Sequence, residues 1–310
     1  MKYNLLILGL FIAQAVFGYD IHKKSLAPVK DAALGAFAAD AVNVTFGKKE
    51  NPDNATLLDV SASFGNASGK WQVALKNKRA HGDRGRHFQF RTENGITSGY
   101  SALIASVGLT VNGISWERLQ LKEKNVRRYS GKDGAEGFEF MLNFDGAPVR
   151  LRATMKPGSP SLDWELMPSA KGLTPVTNID VRVAAIPSFL DCGHGKPTRF
   201  FGYRRQVRTD RRLVPPQKGG KVAFDGERVF ILEDADYDGS AADKGKGPSA
   251  VVLPEPTAGY VGLNDGWTTD LHFKPDPSKP FRFSMIEYPD RRFSNAEFEK
   301  QIGCFKTNGK

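Results

Sequence analysis

Cysteine is almost absent from this 310-residue chain: Cys192 and Cys304 are the only two. Two thiols cannot build a cystine framework or a typical structural zinc site. They leave two readings open, one bridge or two unpaired thiols. A bridge closing about 100 residues would stabilise by ~4.7 kcal/mol in the chain-entropy model. Long apolar runs are also lacking beyond the first eighteen residues, so no later segment reaches membrane-span length. The sequence has no Gly-x-Ser-x-Gly elbow, no His-Glu-x-x-His, no phosphate-binding glycine loop and no dinucleotide fingerprint. Those absences remove the commonest enzyme signatures without excluding catalysis.

The N-terminus is different. Lys2 supplies a positive start, Leu5 to Ala13 a short apolar run, and Ala13-Gln14-Ala15 or Val16-Phe17-Gly18 a small-residue end. This pattern predicts a cleaved secretory signal over residues 1–18 and a mature domain over 19–310, secreted or periplasmic, with no membrane span after cleavage. The net charge is +10. The excess gathers between Lys70 and Arg91 and between Lys196 and Lys221. Such stretches attract anions, and for an exported protein acidic polysaccharide is a better partner than nucleic acid.

Period-2 alternation dominates the middle of the chain. Phe138, Phe140, Leu142 and Phe144 share one side of a run. Val149, Leu151, Ala153 and Met155 share another, opposite Arg150, Arg152, Thr154 and Lys156. Leu162, Trp164 and Leu166 alternate with Asp163 and Glu165, and Ile179, Val181 and Val183 with Asp180 and Arg182. Each run predicts a strand with one buried face. Asp145-Gly146, Pro157 to Pro160 and Lys171 to Pro175 separate them as turns, which favours antiparallel neighbours. Further strands are expected at Leu57–Phe64, Trp71–Leu75, Arg86–Arg91, Tyr100–Val107, Ser115–Lys122, Lys221–Phe224, Arg228–Glu233, Ala250–Leu253, Trp267–Phe273 and Phe281–Tyr288. Ser294-Asn295-Ala296-Glu297 is a capping box that predicts one short C-terminal helix. The fold class is therefore all-β, a large antiparallel β-sandwich.

Several residues suit chemistry. Read as a strand, Ser115–Lys122 places Trp116 on a wet face with Arg118 and Gln120, a platform for a sugar ring. His87 and Arg91 share a face of their strand. His272 sits with Asp270 and Lys274, and His194 lies between glycines; any of these histidines can serve as a general acid or base. Phe200 to Arg205 interleaves aromatics with guanidiniums, so that Tyr203, Arg204 and Arg205 suit a uronate. Asp234, Asp236 and Asp238, followed by Gly239, can wrap oxygen ligands around Ca²⁺, or form a solvated acidic turn. No cofactor is otherwise required.

Gly137 to Phe140, Val149 to Ala153, Leu162 to Leu166 and Asn178 to Val183 together resemble the central strands of galactose mutarotase-like supersandwich domains. That resemblance spans roughly Trp116 to Tyr288 and is one of strand rhythm. It implies a carbohydrate-active architecture of the kind found in sugar epimerases, polysaccharide lyases and accessory modules. The family's histidine acid and glutamate base have no counterpart in matching settings here, so no catalytic residue is carried over. The expectation is a secreted carbohydrate-binding or carbohydrate-processing protein acting on polysaccharide. Its alternatives are a lyase for anionic glycans, using His194, Tyr203, Arg204 and Arg205, and a non-catalytic envelope or adhesion protein with a basic face.

Overall fold

A computed structural model describes residues 43–45, 60–66, 69–77, 86–93, 104–119, 125–156, 161–185, 205–214, 220–234, 248–263 and 269–287. Up to residue 106 the backbone path alone is described. The described part is all-β, with no α-helix among the described residues. The capping-box helix at Ser294 and the signal segment lie outside them.

Among the described residues, nineteen strands form three antiparallel sheets. The first sheet runs in chain order: β1 (Asn43–Thr45), β2 (Val60–Asn66), β3 (Gly69–Asn77) and β4 (Arg86–Glu93). A six-stranded sheet is built from β5 (Ile104–Val111), β6 (Ile114–Ser115), β11 (Ile179–Ala185), β14 (Lys221–Ala223), β17 (Ala258–Leu263) and β18 (Thr269–Lys274), in the order β14-β17-β18-β11-β5-β6. A nine-stranded sheet takes β7 (Val126–Ser130), β8 (Glu136–Phe144), β9 (Ala147–Met155), β10 (Leu162–Pro168), β12 (Arg205–Thr209), β13 (Leu213–Val214), β15 (Val229–Asp234), β16 (Ser249–Val252) and β19 (Phe281–Glu287). Its order is β13-β12-β15-β16-β19-β10-β9-β8-β7.

The alternation read from the sequence is the alternation of burial. Phe138, Phe140, Leu142 and Phe144 of β8 are buried, as are Val149, Leu151, Ala153 and Met155 of β9 and Ile179, Val181 and Val183 of β11. The inner faces of the nine- and six-stranded sheets share one core, which makes the pair a sandwich. Phe273 of β18 ties the layers together. Its ring lies 5.7 Å from Phe230 of β15, 5.7 Å from Phe281 and 6.2 Å from Phe283, both of β19. Trp164 stacks on Phe283 at 5.9 Å with 4° between the planes. Aromatic pairs at such spacings add about 0.5–1.5 kcal/mol each beyond the area they bury.

Two tight turns follow from local chemistry. Asn112 (φ 50°) and Gly113 (φ 78°) join β5 to β6, and Asp145 (φ 52°) and Gly146 (φ 85°) join β8 to β9. Both pairs have the left-handed backbone of a two-residue hairpin turn, which Asn, Asp and Gly tolerate best.

The strand expected at Ser115–Lys122 breaks at Trp116. Beyond Ser115 the chain enters a 3-10 turn, Trp116–Arg118, closed by the Leu119 N–H donating to the Trp116 carbonyl at 3.0 Å. In that geometry residues three apart lie on the same side, so Trp116 and Leu119 both turn to the core. Trp116 is 2% exposed and Leu119 packs on the core's edge. Burying an indole outweighs continuing a two-residue strand. The sugar platform expected at Trp116 is corrected accordingly: its ring is core, while Arg118 beside it is exposed. A small apolar gap of about 10 Å³ lies among Trp116, Leu151, Leu166, Val181 and Phe283, too small and too dry to hold a ligand.

Candidate functional site

Polar chemistry among the described residues collects on the two outer faces of the sandwich. On the six-stranded sheet, Leu271 and Phe273 point inward, so Asp270, His272 and Lys274 of β18 point outward. β11 contributes Asp180 and Arg182 to the same face, since Arg182 pairs directly with His272. β17 contributes Tyr260, which pairs with His272 from the other side.

His272 is oriented from two directions. Its Nδ1 lies 3.1 Å from Asp180 Oδ1, and its ring stacks on Tyr260 at 4.5 Å and 12°. An ionised Asp180 keeps the proton on Nδ1 and leaves Nε2 as the basic nitrogen; Nε2 has no hydrogen-bond partner among the described residues. Lys274 Nζ donates to Asp180 Oδ2 at 2.5 Å. Burial pushes the Asp180 carboxyl upward, but the hydrogen bonds from His272 and Lys274 outweigh it and hold the group below its usual range. Lys221 Nζ sits 4.9 Å from the Tyr260 ring centre. Arg182 donates through Nε and Nη2 to Asp270 Oδ2 at 2.9 and 2.8 Å. His272 and Asp180 are 18% and 21% exposed, so solvent reaches the pair.

Gly108 faces Arg182 across β5 and Gly262 faces Asp270 across β17. A methyl group at Gly262 would make only ordinary contacts at 3.6–3.9 Å, and one at Gly108 would sit 3.7 Å from the Arg182 Cβ. Neither glycine is demanded by packing. Gly262 lies beside the stacked rings, whereas Gly108 lies beyond Arg182, two strands from His272.

The outer face of the nine-stranded sheet is built on another plan. Arg127 (β7), Glu139 (β8), Arg152 (β9), Glu165 (β10) and Arg282 (β19) stand directly opposite one another across five adjacent strands. Signs alternate along the row. Glu139 Oε1 accepts from Arg127 Nε at 2.8 Å and its Oε2 from Arg152 Nη2 at 2.7 Å. Glu165 Oε2 accepts from Arg152 Nη1 at 2.9 Å and its Oε1 from Arg282 Nε at 2.7 Å. The Glu139 side chain is fully buried beneath its arginines. Arg150 flanks the row, 3.6 Å from Glu139 and 2.7 Å from the Met167 sulfur. Arg152 also lies 3.9 Å from the Tyr129 ring centre, a cation–π contact. One row away, burial raises the Asp163 carboxyl, while Ser284 and Ser161 hydroxyls donate to it at 2.6 and 2.9 Å.

Of the expected site residues, His87 and Arg91 lie on β4, opposite Lys76 and Gln72 in the backbone register; their side chains are outside the described part. Arg205 opens β12 and Asp234 ends β15, and the two pair in register. His194, Tyr203, Arg204, Gln120, Asp236, Asp238, Cys192 and Cys304 lie outside the described residues. Among the described residues no group of three or more His, Cys, Asp or Glu is placed to hold a metal ion, and no helix is long and apolar enough to cross a membrane. His272, Asp270 and Lys274 do share a face as their spacing indicated. Asp180 and Tyr260 were missed: their 92- and 12-residue separations from His272 leave no local trace.

No protein-family model matches the chain, and no curated protein matches it in sequence. Among solved structures it is similar to the GH36 alpha-galactosidase AgaB from Geobacillus stearothermophilus, at 10% identity and a TM-score of 0.44. That match covers 79% of this chain and 41% of the other, so the chain spans less than half of that protein's length.

Proposed function

We propose that this is an exported carbohydrate-binding protein that engages polysaccharide, and that the sugar lies on the outer face of the six-stranded sheet. The carrying observation is the oriented, solvent-reached Tyr260–His272–Asp180–Lys274 cluster, with Gly262 rather than a side chain beside its stacked rings. A sugar needs donors and acceptors in fixed positions for its hydroxyls, and shallow space for its ring. The cluster offers an imidazole nitrogen, a carboxylate and an ammonium within one small area. The rhythm of β8 to β11, like that of supersandwich domains, supports the same reading.

A lyase acting on anionic glycan is the second reading, favoured by one observation: the Asp180 contact at Nδ1 leaves Nε2 available as a base. Lys274 or Arg182 would pair with a uronate carboxylate. Nε2 would take the C5 proton, the released electrons would form the C4–C5 double bond, and the C4–O bond would break, with the leaving oxygen taking a proton. A glycan array tests the binding reading. The parent should retain specific saccharides, and Tyr260→Ala and His272→Ala should each lower that binding on the order of tenfold without unfolding. Uniform failure to bind, or binding indifferent to both variants, overturns it. Ultraviolet absorbance of unsaturated product from pectate or alginate, absent in His272→Ala, separates lyase from binder.

A further inference from the structure

The charged row on the nine-stranded sheet is not neutral. Arg127, Arg150, Arg152 and Arg282 face only Glu139 and Glu165 within it. The middle of the row is spent: Arg152 is 17% exposed and bonds to both carboxylates. Its ends are not. Arg127 and Arg282 are 67% and 63% exposed, and each engages one carboxylate oxygen through its Nε and Nη2 edge. Their Nη1 groups have no partner among the described residues. Four inter-strand steps separate the two ends, about 19 Å.

We propose that this row is a second binding site, for a linear polysaccharide bearing uronate carboxylates, laid across the strands with Arg127, Arg150 and Arg282 each taking a carboxylate. Charge density selects the partner. Duplex DNA carries a charge every ~1.7 Å, and two surplus positive charges spread over about 19 Å match it poorly. A uronate polymer carries fewer, more widely spaced anions. The site lies on the opposite side of the sandwich from His272 and does not depend on the reading of that face.

Binding of oligogalacturonates to the intact protein, followed by calorimetry at low and high salt, tests the site. A long oligomer that reaches both ends should bind more tightly than a digalacturonate, and salt should weaken it. The double variant Arg127→Gln/Arg282→Gln should lose on the order of tenfold in affinity. A charge-matched control, Lys171→Gln/Lys279→Gln, should stay within about twofold of the parent. Arg150→Gln, removing a side chain held by a thioether and one long ionic contact, should weaken binding several-fold and checks the site if the double variant is poorly folded. His272→Ala should leave this binding unchanged, so failure of either site is read separately. Equal loss in the lysine control, equal affinity for digalacturonate and the long oligomer, or tighter capture of duplex DNA than of oligogalacturonate overturns the proposal.

Discussion

The two outer faces of the sandwich carry similar residue types and handle them in opposite ways. On the nine-stranded sheet, arginines and glutamates alternate in a straight row, and all four oxygens of Glu139 and Glu165 are engaged. On the six-stranded sheet, His272 and Asp180 are bound to each other, yet His272 Nε2 has no partner among the described residues. The middle of the arginine–glutamate row satisfies itself and holds strands in register, while the arginines at its two ends stay exposed. On the other face the orienting contacts are made within one cluster, and its imidazole keeps an unengaged nitrogen among the described residues. Net charge alone would not have told them apart.

Substitutions can sharpen or break that contrast. The largest effect belongs beneath both faces: Trp116→Ala should cost about 3–5 kcal/mol in chemical denaturation and weaken any binding only through unfolding. Selective loss of saccharide binding in a stably folded Trp116→Ala protein would return that ring to a surface role. Glu139→Gln comes next, because it strips the shared counter-charge from three arginines; about 3 kcal/mol is expected, with little change at His272. Asp180→Asn should cost about 1 kcal/mol at neutral pH and remove the saccharide binding proposed for its face, the reverse of the Glu139 outcome.

The same variant carries a pH signature. The Asp180 carboxyl titrates lower in the folded protein than in the unfolded chain, so its stabilisation is complete at neutral pH. It is lost as pH falls below the ordinary carboxylate range and through the depressed value. The stability gap between parent and Asp180→Asn should therefore close on acidification, and a gap that stays constant to pH 3 would contradict the assignment. Asp163→Asn should show the smallest effect and the other sign. Burial raises that carboxyl, so its ionised form opposes folding at neutral pH. The amide should be neutral or stabilising by up to ~1 kcal/mol there, with the difference vanishing in acid where both forms are uncharged.

The central strands were legible because each has one fully buried face, and β8 to β11 sit where expected with the expected residues inward. β7 and β12 were not anticipated. Val-Arg-Arg-Tyr-Ser and Arg-Gln-Val-Arg-Thr have too few apolar positions to show a period, and they exist as strands because β8 and β15 supply their hydrogen bonds. β17 was hidden by Gly259 and Gly262, which weaken strand signals. Glu139 shows a different limit. Alternation assigns it correctly to the outward face, yet its side chain is fully buried, because arginines from two neighbouring strands close over it. Registers between distant segments decide that, and no single run of residues contains them.

The last described strand, β19, is inserted between β10 and β16, with Phe283 stacked on Trp164. The nine-stranded layer therefore exists as two separate halves until residues 281–287 arrive. Contacts of such long sequence separation make for slow assembly, and a chain interrupted before Phe281 would expose two raw strand edges to any neighbouring molecule. The layer thus closes late, its two halves waiting on one seven-residue strand.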